Sequence, residues 1–107
     1  MAHQGADNAI TIQSSTIHLG DGLPDYAREN ILRVASKYFG RLNTASAHFT
    51  KEGITYRCSV NMQMGGLPMK SAEGKDKDIY SAFNAALEKV AKQLRRTKRE
   101  LREDKGE

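Results

Sequence analysis

The residues best suited to chemistry in this sequence are few, and their spacing argues against catalysis. Cys58 is the one cysteine in the chain. It has no partner for an internal disulfide, and no histidine or carboxylate stands close in sequence to activate it as a nucleophile. It is expected as a small buried thiol in a reducing compartment. His3, His18 and His48 share no ligand spacing with it, so no zinc site is expected. Asp76 and Asp78 resemble a carboxylate pair for acid–base work. They precede a helix inside a lysine-rich turn, however, where capping of free backbone N–H groups accounts for them. Gly65-Gly66 lacks the Lys-Ser/Thr that follows in a phosphate loop. No catalytic residues, metal site or cofactor are expected, and the protein is not expected to be an enzyme.

Binding is better supported. The segment "KVAKQLRRTKRELR", residues 89–102, holds seven basic residues and one acid, Glu100, in a chain of formal net charge +4. Such clustered cation attracts polyanions. Few of these charges have an acid four residues before them; Glu88 can reach Lys92 and little else pairs that way. A cationic stripe without counter-charges repels itself, which favours a docking face over an ordinary solvated one.

The elements that would carry this stripe follow from periodicity. "AITIQS" alternates Ile10 and Ile12 with polar residues and reads as a short strand. Residues 24–40 repeat Ala27, Ile31, Val34, Ala35 and Tyr38 at helical steps, with Gly40 as the stop. Arg33, Lys37 and Arg41 fall on a flank of that helix. "NTASAHFTK" reads as a weaker strand and "KEG" as a tight turn. Residues 54–64 alternate strictly, with Ile54, Tyr56, Cys58, Val60, Met62 and Met64 on the buried side. Gly65-Gly66 then predicts a two-residue hairpin, with residues 68–74 as the return strand. Asp78 is the expected N-cap of a last helix that runs from Ile79 to about Asp104.

On that helix Ile79, Phe83, Ala86, Leu87, Val90, Leu94 and Leu101 form one apolar stripe. Lys89, Lys92, Arg95, Arg96, Arg99 and Arg102 oppose it. The stripe argues against a disordered tail; its width and length argue against a coiled coil. The face looks committed to the core, which argues against a membrane-surface helix. The order is β-α-β-β-β-α. The expected fold class is α+β: a four-stranded mixed sheet with two helices packed on one face, as in double-stranded-RNA-binding domains.

Length and composition set the frame. A chain of 107 residues makes one domain, here residues 9–104, between a disordered lead at 1–8 and a flexible tail at 105–107. Hydrophobic content is 38% with no Trp, so the core rests on aliphatic residues, Met and a few rings. No run approaches a membrane span, and "MAHQGADN" lacks the apolar region of a signal peptide. The protein is expected in the cytoplasm, without a membrane partner or small-molecule substrate, and monomeric as an isolated domain.

The wet face of the long strand, Thr55, Arg57, Ser59, Asn61 and Gln63, has no ring on which a base could stack. A two-glycine clamp loop for four nucleotides is also missing. Contact would run from helix side chains to phosphate and ribose, which suits a structured RNA read by shape. A general duplex-RNA module and a scaffold domain meeting an acidic protein remain alternatives.

The residues also carry a family likeness. "KYFGRLNTASAHFTKEG", "SAEG" and "DIYSAFNAALEKVAKQLRRTKREL" together resemble the ribosome hibernation-promoting factor family, which includes the ribosome-associated inhibitor called protein Y. The likeness covers about residues 9–104. It implies the β-α-β-β-β-α fold and binding to the small ribosomal subunit and its rRNA, in the channel that messenger and transfer RNA would occupy. Translation would be blocked in stationary phase or stress. The family's basic residues on the last helix fall on Lys89, Lys92, Arg96 and Arg99, which Arg95 and Arg102 extend. Arg28, Lys37 and Arg41 are the matching candidates on the first helix. Asn84 stands where the family usually has Asp. The chain resembles a short member or the N-terminal piece of a long one.

Overall fold

The computed structural model describes residues 9–106 except 16, 21, 39 and 40, with the backbone alone over 102–106. Six elements follow in the expected order: β1 (Ile10–Ser14), α1 (Gly22–Tyr38), β2 (Leu42–Glu52), β3 (Thr55–Met64), β4 (Lys70–Asp76) and α2 (Ile79–Gly106). The strands form one sheet in the order β1-β2-β3-β4. β1 lies parallel to β2, with Ile10 beside Ala45, because α1 carries the chain back across the sheet between them. The other two pairs are antiparallel.

Alternation sorts the two faces of the sheet. Ala45, Ala47 and Phe49 of β2 and Cys58, Val60, Met62 and Met64 of β3 are buried. They meet Leu23, Ala27, Ile31 and Val34 of α1 and Phe83, Ala86, Val90 and Leu94 of α2 in one core. The rings of Phe49 and Phe83 join sheet to helix with centroids 6.2 Å apart. The opposite face is a polar platform: Asn61 Nδ2 donates to Ser46 Oγ at 3.1 Å, and Ser71 Oγ donates to Asn61 Oδ1 at 2.6 Å. Strand partners on this face, such as His48 beside Ser59 and Arg57 beside Lys75, are polar throughout.

Several boundaries differ from the sequence reading, each for a physical reason. α1 begins two residues before Pro24. Proline is tolerated there because first-turn N–H groups have no partner within the helix. β2 is the longest of the four strands: its alanines are poor strand formers, yet it runs for 11 residues because it is paired on both sides. Ile54 was expected on the buried face of β3 and is 73% exposed. Gly53 takes φ 64° and Glu52 pairs with Thr55, so Ile54 sits in the turn, outside the ladder.

The two-residue hairpin at Gly65-Gly66 is also corrected. These glycines do form the centre of a turn, with Gly65 at φ 52° and the Leu67 N–H donating to the Met64 carbonyl at 2.9 Å. The ladder resumes only where Lys70 meets Met62. Pro68 has no N–H to give, and the Leu67 carbonyl accepts from Gln63 Nε2 at 3.2 Å. β4 therefore starts two residues later than expected.

At the start of α2 the expected cap is present: Asp78 Oδ2 accepts the Ser81 N–H at 2.9 Å and Ser81 Oγ at 3.1 Å. Asp76 Oδ1 accepts the Asp78 N–H at 2.9 Å, so both aspartates serve the turn. α2 runs to Gly106, two residues past the expected end. Its 28 residues span about 42 Å, against about 34 Å for the 10 residues of β3. The helix thus outlasts the sheet, and Leu101, expected in the core stripe, is 45% exposed.

Candidate nucleic-acid interface

α1 and α2 lie side by side and run in the same direction. Their first residues, Gly22 and Leu23 with Ile79 and Tyr80, border one hollow. One turn on, Tyr26 ties them together. Its hydroxyl donates to Asn84 Oδ1 at 2.7 Å, and its ring meets Tyr80 and Phe83 edge-on at 5.0 and 5.8 Å. Beyond this contact the helices part into a groove of about 400 Å³. Val34, Tyr38, Leu87 and Ala91 line it together with Arg33 and Lys37 from α1 and Lys92 and Arg95 from α2. An adjoining hollow of about 300 Å³ continues it between Lys37, Tyr38, Arg95, Lys98 and Arg99.

The groove therefore gathers six cations, and Glu88 is its one carboxylate. Among the described residues none of the six is in an ion pair. The cations of the polar sheet face behave differently. Arg57 Nε stands 3.4 Å from Glu52 and 3.9 Å from Glu73, and Lys75 Nζ stands 3.6 Å from Glu52. Those charges are neutralised locally, whereas the groove presents a concentrated positive field to solvent. Two side chains are partly oriented already. Arg33 Nη2 donates to Asn30 Oδ1 at 2.8 Å, and the Lys37 ammonium lies 5.5 Å from the Tyr38 ring centroid. Lys37 also sits in the last turn of α1, where a cation complements the helix dipole.

The structure separates the residues expected to act together. Lys92, Arg95 and Arg99 border the groove with Lys37. Arg96 is exposed on α2 but is not among the groove's lining residues. Lys89 turns the other way, and its ammonium donates to the Glu73 carbonyl on β4 at 2.8 Å. Arg28 pairs with Asp25 at 3.7 Å, well before the groove on α1. Arg41 is exposed just past α1, and its carbonyl accepts the Gly65 N–H at 3.1 Å. The side chain of Arg102 lies outside the described residues.

Two lining residues, Arg33 and Lys98, were missing from the expected set. Arg33 stands one helical turn before Lys37, and that spacing was the available signal. Lys98 is half-buried on the side of α2 that turns toward Tyr38, which helical phase alone does not reveal.

The remaining candidates for chemistry are accounted for. His48 shares a 2.7 Å hydrogen bond with Ser15 Oγ on the polar face, and His3 lies outside the described residues. Among the described residues no three His, Cys, Asp or Glu side chains gather as a metal site would require. No helix there is long and apolar enough to cross a membrane. Cys58 is fully buried, and burial pushes its thiol from 9.0 up to about 12. At pH 8 about one molecule in ten thousand then carries the thiolate. The folded protein should show no reaction with a disulfide reagent at pH 8, and one equivalent should react once denaturant is added. Above pH 9 the unfolded chain loses a proton that the folded chain keeps. Stability is therefore expected to fall as pH rises from 9 toward 12.

Comparison with known proteins gives this geometry a context. Residues 10–102 match the family model described as sigma 54 modulation protein / S30EA ribosomal protein. Over 95 residues the chain is 25% identical to the ribosome hibernation promotion factor of Rhizobium meliloti (strain 1021), covering 89% of this chain and 50% of that protein. It is 24% identical to the ribosome hibernation promoting factor of Escherichia coli (strain K12), covering 88% of this chain and 97% of that one. The chain thus spans about half the length of the first relative and nearly all of the second. The Thermus thermophilus Protein Y N-terminal domain has the same fold, with a TM-score of 0.73 and 20% identity over 81% of this chain and 94% of that one. So does a ribosomal subunit interface protein from Coxiella burnetii, at 0.69 and 13% over 83% and 96%.

Proposed function

The chain belongs to the sigma 54 modulation protein / S30EA ribosomal protein family, that of the ribosome hibernation promoting factors, and on this premise we propose that it holds ribosomes idle by binding the small subunit. The observation that carries the proposal is the groove between α1 and α2. Six cations from two helices converge there without an ion pair among the described residues, while Arg57 and Lys75 on the polar sheet face are matched by carboxylates. Arg and Lys in such an arrangement receive phosphate oxygens, Arg in a bidentate way and Lys as a point charge. The lining offers no base-reading pattern, so the ligand is the backbone of a structured RNA, the rRNA of the small subunit.

The protein acts by occlusion. Its domain measures 50 × 34 × 17 Å and is braced by one continuous core. Seated in the channel for messenger and transfer RNA, that bulk excludes both, and translation stops in stationary phase or stress. No bond is made or broken, so no catalytic group is required.

Sedimentation with purified ribosomal subunits at two salt concentrations tests the reading. If the six groove cations each neutralise a phosphate, the log–log slope of affinity against salt is about −4 to −5. Raising salt threefold should then weaken binding about a hundredfold, and the protein should travel with the small subunit. A short RNA duplex that competes as well as the subunit would instead indicate a general duplex-binding module. Nuclease-resistant capture by an acidic protein would indicate a scaffold.

A further inference from the structure

β4 is an edge strand, paired with β3 on one side only. On such a strand the N–H and C=O groups of alternate residues face away from the sheet, where a further strand can add. Two of these carbonyls are already occupied by side chains from α2. Lys89 Nζ donates to the Glu73 carbonyl at 2.8 Å, and Gln93 Nε2 donates to the Ser71 carbonyl at 3.0 Å.

The spacing fits this arrangement. Residues four apart on a helix are separated by about 6.0 Å along its axis. Residues two apart on a strand are separated by about 6.8 Å. A pair at i and i+4 on α2 therefore matches successive outward carbonyls on β4, and the chain directions are opposed, Lys89 to Glu73 and Gln93 to Ser71. Close approach makes the reach possible, because Gly74 brings β4 against the backbone of α2 at Ala82 and Ala86.

We infer that Lys89 and Gln93 seal the β4 edge and so prevent the sheet from continuing into β4 of a second copy of this chain. The partner is set by the strand's own charges. An antiparallel β4–β4 pair centred on Glu73 would place Lys70 opposite Asp76 at both ends, an attractive pairing. The like charges that would meet at the centre, Glu73 with Glu73, already have Arg57 beside them at 3.9 Å. What stands against the pair is the occupation of the carbonyls that it needs. Lys89 consequently differs in role from Lys92 and Arg95: its donors serve the sheet and not the groove.

The test is the oligomeric state of the full chain by analytical ultracentrifugation. Lys89→Met with Gln93→Leu keeps helix-forming side chains of similar bulk and removes both donors. The wild type should remain a monomer, and the double variant should form a concentration-dependent dimer. Adding Ser71→Pro, which deletes an outward N–H without touching the β3 ladder, should return it to monomer. A double variant that stays monomeric to about ten times the wild-type test concentration overturns the inference. Should the double variant fail to fold, Lys89→Ala with Gln93→Ala removes the same two donors with strong helix formers and decides the point by the same measurement. A second readout concerns Lys89 and the subunit. Lys89→Met should leave the salt slope of binding unchanged, whereas a fall of about one would assign its charge to a phosphate and overturn the seal. The oligomeric readout does not depend on ribosome binding, so either reading can fail without the other.

Discussion

Changing Lys92 and Arg95 together to Glu is expected to abolish co-sedimentation with the small subunit, while Lys51 and Lys77 changed together to Glu leave it nearly intact. The two variants alter net charge equally. Only the first pair borders the groove; Lys51 and Lys77 are exposed elsewhere, in β2 and in the β4–α2 turn. Each neutralised phosphate contributes about 0.7 log units of affinity at 150 mM salt, from the slope per contact. Removing two contacts therefore weakens binding about thirtyfold. Placing two carboxylates in the same groove adds repulsion and takes the loss past roughly a thousandfold. Lys92 and Arg95 are both exposed, so circular dichroism and melting temperature should stay near the wild-type values. Lys92→Gln with Arg95→Gln should give the intermediate, roughly thirtyfold loss. Equal weakening by the Lys51/Lys77 variant would mean that net charge and not the groove governs binding.

The contrast between Lys89 and Lys92 also marks how far the sequence could lead. Helical phase placed both on the side of α2 away from the core, and both are exposed there. Their neighbours differ, and neighbours come from tertiary packing: Lys89 meets an edge strand, Lys92 a second helix. The same limit explains Lys98, whose importance appears only once α1 is known to lie alongside α2 in the same direction. What local pattern controls was legible. The alternation of β3, the apolar stripe of α2 as far as Leu94 and the Asp78 cap follow from backbone geometry and burial within a few residues. Ile54 and Leu101 continued those patterns on paper and left the core in space. One falls in a turn that Gly53 closes, and the other lies where the helix has outrun the sheet. The family likeness rested partly on "SAEG", yet a glycine in a strand reads only as a weak point or a bulge. Its function in packing required the position of α2.

That function makes Gly74→Ala costly in stability although it adds only one methyl group. A Cβ on Gly74 would run into the Ala82 carbonyl, and it would come within 2.7 Å of the Ala86 nitrogen and 2.8 Å of the Ala85 Cβ. Two of these three atoms belong to the helix backbone and cannot rotate away. The facing residues, Ala82, Ala85 and Ala86, are already small, so the clash has no side chain to yield. Relief requires α2 to lift from β4. That movement would loosen Phe83, Ala86 and Val90, all fully buried, and draw Lys89 and Gln93 off the strand's carbonyls. Overpacking of one methyl in a rigid site typically costs 1–3 kcal/mol, and the lost helix contacts place this case at about 3 kcal/mol. For a domain of this size the melting temperature should drop by roughly 15 °C. Gly20→Ala and Gly66→Ala provide the comparison, since a Cβ at either position meets nothing within 4 Å. Both should melt within a few degrees of the wild type, helped slightly by a less flexible unfolded chain. If Gly74→Ala melts with them, α2 does not rest on β4 as closely as described, and the reach of Lys89 and Gln93 to the edge loses its basis.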